Sequence, residues 1–160
     1  ATLHRAENTD SPERLQSIIA ALEEIAREMP VVIPIHPRTR KKLQELNFDF
    51  KQTRLQLVDP VGYLEMVHLL KHCSLVATDS GGLQKEAYFF KKYCITLRTE
   101  TEWIELVEQG ANIITGWKYE DILNSYKQLK HTTKDVFSSP LYGDGEAGHI
   151  IIRELQRIDS

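Results

Sequence analysis

The stretch that most constrains this chain is Leu75-Val76-Ala77-Thr78-Asp79-Ser80-Gly81-Gly82-Leu83-Gln84-Lys85-Glu86, which reads as a short apolar strand passing through a polar turn into a helix. Leu75, Val76 and Ala77 form the continuous apolar run of a parallel strand buried on both faces. Asp79 or Ser80 can cap the helix that follows. Gly81 and Gly82 leave no side chain between backbone and ligand, so free amides at the positive end of the helix dipole can face an oxyanion. The Ser80 hydroxyl adds a donor, and Glu86, at i+4 from Gly82, can accept hydrogen bonds from a sugar hydroxyl. A capped helix whose glycines only permit close packing is the competing reading for Ser-Gly-Gly taken alone. Context favours an anion site, because strand-turn-helix units recur on both sides and such folds bind ligands at the carboxyl ends of their strands.

In chain order, Thr2-Leu3 ends a strand and His4 to Asp10 is a loop. Ser11-Pro12-Glu13 opens a helix whose Leu15, Ile18, Ile19, Leu22 and Ile25 keep the spacing of one apolar face. Val31 to Ile35 is a strand, and Pro34 within it predicts a strand end or a bulge. A basic helix with Arg38, Arg40, Lys41 and Lys42 follows His36-Pro37, its charges read as a solvated face. Leu55 to Val58 is a third strand, and the helix Val61 to His72 is expected to bury Leu64, Val67 and Leu70 or their neighbours. After the central strand come Tyr93 to Leu97, a helix over Thr101 to Val107, the strand Ala111 to Ile114 and the helix Tyr119 to Lys130. His131 to Pro140 reads as polar linker, Tyr142-Gly143-Asp144-Gly145 as a hinge, and Glu146 to Ile158 as a last helix that needs packing to hold it. This alternation predicts one α/β domain over residues 1–160, a Rossmann-like, doubly wound parallel sheet of about six strands.

Several function classes drop out. A net charge of −3 without a basic stripe gives no nucleic-acid surface, and no apolar run approaches the ~20 residues of a membrane span. The glycine fingerprint of a dinucleotide fold is absent after the first strand. Cys73 and Cys94 lack metal-type spacing and read as buried thiols of a cytoplasmic protein, and no metal site or cofactor is expected. Ala1-Thr2-Leu3-His4 has no lead-in to its strand, so the expectation is a segment of something longer.

One edge of the sheet should collect His4, Arg5, Glu7 and Asn8, then His36 and Arg38, then Ser80 to Glu86, then Arg98 to Glu102. Arginines and helix-end amides suit a diphosphate, carboxylates a sugar or ribose, and histidine can donate to a phosphate or move a proton. His68, His72, His131 and His149 read as structural.

The same residues carry a family resemblance along nearly the whole chain. His4-Arg5 with Glu7-Asn8, His36-Pro37, Asp59-Pro60 with Tyr63, Asp79-Ser80-Gly81-Gly82 with Gln84 and Glu86, Arg98 with Thr101-Glu102 and Glu105, Gly110, and Tyr142-Gly143-Asp144-Gly145 resemble the carboxyl-terminal half of bacterial non-hydrolysing UDP-N-acetylglucosamine 2-epimerases. That resemblance implies half of a glycosyltransferase-B type fold, carrying the UDP of a UDP-sugar. Ser80, Gly81 and Gly82 would hold the diphosphate, Glu86 the ribose hydroxyls, and His4 would lie near the diphosphate and the reacting sugar as the catalytic residue. Arg5, Glu7, Asn8, His36, Arg98, Glu102 and Trp103 would complete the UDP-sugar site, with Met66 where an aromatic residue usually flanks the uracil. The reaction implied is elimination of UDP with loss of the C2 proton, then re-addition on the other face, needing no redox cofactor or metal. The carboxylates that move that proton belong to the amino-terminal half, so this segment alone is expected to bind UDP weakly and not to turn over. The 142–160 turn and helix are expected to pack on that half, and the full-length protein to be a homodimer.

Val61 and Lys85 depart from the usual glutamine and acid. Thr101-Glu102-Trp103-Ile104-Glu105 replaces the common Thr-Glu-Arg-Pro-Glu and looks like the branch acting on UDP-2,3-diacetamido-2,3-dideoxy-glucuronate. Two other readings remain open: a nucleotide-binding half of a glycosyltransferase, against which His-Arg-x-Glu-Asn argues, and a non-catalytic nucleotide-sugar-binding module.

Overall fold

The computed structural model describes residues 1–158. Its strands are β1 (Val32–Pro34), β2 (Gln56–Val58), β3 (Leu75–Thr78), β4 (Tyr93–Thr96) and β5 (Asn112–Ile114), paired in parallel as β1-β2 and β3-β4-β5. Between the two sets lies the first segment of the chain. Thr2 bridges to Thr78 in parallel, its N–H donates to the Ala77 carbonyl at 2.9 Å, and the Ala1 amino group donates to the Val32 carbonyl at 2.6 Å. The sixth strand expected from the sequence is therefore a single bridge joining two sheets. Pro34 is the last residue of β1, where a residue without an N–H costs least.

The helices are α1 (Ala6–Thr9), α2 (Pro12–Ile25), α3 (Pro37–Glu45), α4 (Tyr63–His72), α5 (Gly81–Phe89), α6 (Ile104–Glu108), α7 (Tyr119–Lys130) and α8 (Ala147–Ile158). Strand alternation sorts them into two layers. Ala77 and Ile95 point into a core shared with Leu15, Ile18 and Leu22 of α2, Leu43 of α3 and Ile122 and Tyr126 of α7. Their neighbours Val76 and Cys94 point the other way, onto Leu70 of α4 and Leu83 and Ala87 of α5. Burial drives the Cys94 thiol pKa up to about 12, whereas Cys73 is only half-buried.

Three sequence expectations change. The 4–10 loop contains the one-turn helix α1. Leu64 is 80% exposed, so α4 buries Leu70 and, in part, Met66 instead. The 131–140 segment is anchored: Tyr88 and Tyr93 donate their hydroxyls to the Ser139 and Lys134 carbonyls, and Val136 is buried with Tyr88, Leu106 and Ala111. Those hydroxyl anchors have no periodic signature in sequence. By contrast, α8 forms with no buried residue, leaving Ile150, Ile151, Ile152, Leu155 and Ile158 exposed.

Gly110 ends α6 at φ +81, and a Cβ there would meet only Val136 at 3.9 Å, so its requirement is conformational rather than steric. Gly110→Ala should lower stability by about 1–2 kcal/mol in urea denaturation, the cost of a left-handed alanine. Gly82→Ala, in open space within a helix, should not lower it.

Candidate functional site

The carboxyl end of β3 is held by Asp79, which is fully buried. Its carboxylate accepts from the His4 amide at 3.1 Å, the Arg5 amide at 2.9 Å and the Asn8 Nδ2 at 3.3 Å, with His4 Nδ1 at 3.4 Å. Asn8, 1% exposed, gives its side-chain amide also to the Leu97 carbonyl at 2.8 Å. The loop after the Thr2 bridge and the one after β4 are thus fixed to the end of β3.

Ser80 then caps α5, its Oγ accepting from the Leu83 amide at 3.4 Å. Gly81 and Gly82 occupy the first helical positions, whose amides have no carbonyl inside the helix to bond and lie at the positive end of the dipole. Gln84, fully buried, holds this turn from below. Its Nε2 donates to the Ser80 carbonyl at 3.3 Å, while its Oε1 accepts from Thr101 Oγ1 at 2.7 Å and Asn112 Nδ2 at 3.3 Å.

The rim has two sides. On one, a cleft of about 310 Å³ is lined by His4, His36, Met66, Ser80, Gly82 and Glu86, together with Pro60 and Val61. His36 stands at the start of α3, its Nδ1 accepting from the Arg38 amide at 3.2 Å. On the other side lies a charged cluster. Arg98 donates to Glu102 at 2.6 Å and lies 3.6 Å from Glu7, and Arg5 lies 3.8 Å from Glu102. Gly81 is the boundary between them, for a Cβ built there would fall 1.8 Å from Glu102 Oε1. Those arginines and the Glu102 backbone amide hold the Glu102 carboxyl below its ordinary pKa, its own backbone hydrogen bond being the largest cause.

The sequence-selected residues therefore divide. His4, His36, Met66, Ser80, Gly82 and Glu86 share the cleft; Arg5, Glu7, Arg98 and Glu102 form the ionic cluster; Asn8 is interior. Trp103, half-buried, donates Nε1–H to the Gly81 carbonyl at 2.8 Å, and so braces the turn from outside the cleft. Beside it Lys85 Nζ lies 4.6 Å from the Trp103 ring and 4.2 Å from the Tyr142 ring. Burial, then the nearby Glu105 carboxylate, raises the Tyr142 phenol above its ordinary pKa. The bracing roles of Gln84, Trp103 and Lys85 carry no local signal; only tertiary packing brings them to the turn. A larger cavity, about 450 Å³, lies among Met29, Val32, Leu69, Leu75 and their neighbours and is mostly apolar, without converging charged groups. Among the described residues no group of three or more His, Cys, Asp or Glu could hold a metal ion, and no helix is long and apolar enough to cross a membrane.

The pattern that defines UDP-N-acetylglucosamine 2-epimerases matches residues 1–156. The chain belongs to that family. Among curated relatives, the UDP-2,3-diacetamido-2,3-dideoxy-D-glucuronate 2-epimerase of Pseudomonas aeruginosa is 49% identical over 160 residues, 99% of this chain and 44% of its own length. The UDP-N-acetylglucosamine 2-epimerase of Methanocaldococcus jannaschii is 42% identical over 96% of this chain and 43% of its own. A crystal structure of the M. jannaschii UDP-GlcNAc 2-epimerase in complex with UDP-GlcNAc and UDP superposes with a TM-score of 0.83 at 40% identity, covering 98% of this chain and 44% of that one. This epimerase-family chain thus spans less than half the length of these relatives. Its α/β fold with parallel strands is theirs over the shared part.

Replacing Asp79 by Asn turns one acceptor oxygen into a donor facing the loop amides. Asp79→Asn should lose about 1–3 kcal/mol of stability in denaturant unfolding, the cost of a buried group left unmatched. The same change should speed hydrogen exchange at the His4 and Arg5 amides.

Proposed function

We propose that this chain is the UDP-binding half of a nucleotide-sugar 2-epimerase, acting on UDP-N-acetylglucosamine and its 2-epimer or on their diacetamido-uronate equivalents. The observation that carries the proposal is that His4 and His36, from two other connections, line one cleft with Ser80, Gly82 and Glu86 of α5 and its cap, at the mouth of the α5 amides. Membership of the family supports uridine diphosphate as the ligand of that cleft, and the relative crystallised with UDP-GlcNAc and UDP supports it further.

In this reading the Ser80 hydroxyl and the amides of Gly81 and Gly82 bind the diphosphate, Glu86 accepts from the ribose hydroxyls, and Met66 lies toward the base. When the C1–O bond breaks and UDP departs, negative charge grows on the diphosphate. Fixed amide dipoles stabilise it without reorganising, which is where this half lowers the barrier. His4, in the same cleft and beside Asp79, serves the diphosphate and the sugar. The remaining half of a protein the length of the relatives would supply the groups that move the C2 proton. The exposed apolar stripe of α8 would dock on that half. The Trp103-Ile104 pair and the 49% identity to the P. aeruginosa enzyme support the diacetamido-uronate sugar.

The test is ligand-dependent stability of the 160-residue chain. UDP at 100 times its Kd should add about 2.7 kcal/mol, ADP at the same concentration should add less, and no epimerisation should be seen. An equal shift with ADP, or none with UDP, would overturn the uridine assignment. Gly82→Ala, which puts a methyl group into the cleft without straining the helix, should weaken UDP binding by roughly tenfold or more, the loss of about one good charged hydrogen bond.

A further inference from the structure

Resting on the diphosphate reading of the α5 turn, we propose that Glu102 is an internal counter-anion that occupies the phosphate cradle and must be displaced for a phosphate-bearing ligand to bind.

The notch over Gly81, open in a glycine for want of a side chain, is filled by the Glu102 carboxylate, whose Oε1 lies 1.8 Å from where a Cβ would stand. Around it are the groups a phosphate needs. Arg98 donates Nη1 at 2.6 Å, Arg5 Nη2 stands at 3.8 Å, and Gly81, which the carboxylate covers, is the first residue of α5. Arg98 is 8% exposed, and its Nε, buried, has no hydrogen-bond partner, Glu7 being 3.6 Å away. A buried guanidinium with a donor unspent is strongly drawn to a second anion.

The segment around Glu102 is built so that the side chain can leave while its backbone stays. Thr101 is tied to Gln84 through Oγ1 at 2.7 Å, and Trp103 is tied to the Gly81 carbonyl through Nε1 at 2.8 Å. Between these two fixed residues, Glu102 precedes α6 and keeps 43% of its side chain exposed, so rotation into solvent breaks only its ion pairs and the hydrogen bond to its own backbone. A carboxylate offers one negative charge and two oxygens; a diphosphate offers more of both and wins the cradle when present. Glu102 therefore keeps the arginines and the turn in place in the empty site and subtracts from the affinity of the filled one.

Titration of the 160-residue chain and of Glu102→Gln and Glu102→Ala with UDP, inorganic pyrophosphate and uridine tests this by calorimetry. Both variants should bind UDP and pyrophosphate at least about threefold more tightly, the scale of a partly exposed ion pair, and uridine unchanged. Unchanged or weaker UDP binding in both variants would overturn the proposal and make Glu102 a strut for Arg98, while leaving the diphosphate reading intact. Failure of wild type and both variants alike to bind UDP or pyrophosphate would overturn that reading as well. Equal tightening toward uridine would overturn the competition for phosphate alone.

Discussion

A fully buried carboxylate is tolerable only if hydrogen-bond donors surround it, and the fold meets that demand at Asp79 with the backbone of another loop. The consequence is positional. The amides of His4 and Arg5 must sit against the end of β3, so the His4 side chain faces the same cleft as Ser80 and Gly82, and the Asn8 side chain spans from Asp79 to the Leu97 carbonyl at the end of the next strand. Remove the carboxylate and three connections lose their common reference point. Gln84 repeats the device one turn into α5, tying Ser80, Thr101 and Asn112 with a single amide. The rim is thus positioned by the interior polar groups Asp79, Asn8 and Gln84.

How much of this could be read from residues alone follows from which features are local. The α2 face of Leu15, Ile18, Ile19, Leu22 and Ile25 is periodic, and all five are buried. The α5 turn announces itself as Ser-Gly-Gly after an apolar run, and Pro34 marks the end of its strand. What escaped is non-local. Leu64 lies on the helical spacing that should be buried, yet it faces solvent because α4 turns Met66 and Leu70 inward. The 131–140 segment looks like a linker by composition, but two tyrosine hydroxyls from α5 and β4, distant in sequence, hold its carbonyls. Asn8 has the residue type of a ligand contact and a wholly interior location.

Trp103 shows how the same residue can have a plausible local role and a different structural one. An indole in place of an arginine suggests stacking against a ligand, yet its N–H is spent on the Gly81 carbonyl, and its ring faces Lys85. The cation is in turn shared with Tyr142, whose ring also packs edge-on against Tyr88. A chain of aromatic contacts therefore runs from the turn at the tail to the glycines of α5, giving the Tyr142-Gly143 segment a mechanical connection to the rim although it contributes nothing to the cleft itself.

Helix α8 has a different significance. Twelve residues containing a glycine and three consecutive isoleucines are a poor helix in water, where nucleation is costly and a short segment gains little from propagation. With one side of that helix apolar and uncovered, whatever covers it would stabilise the helix and its own contact together. If the proposed remaining half covers that side, α8 would melt at a higher temperature once it is bound, and far-ultraviolet dichroism on heating would follow the change with no label attached.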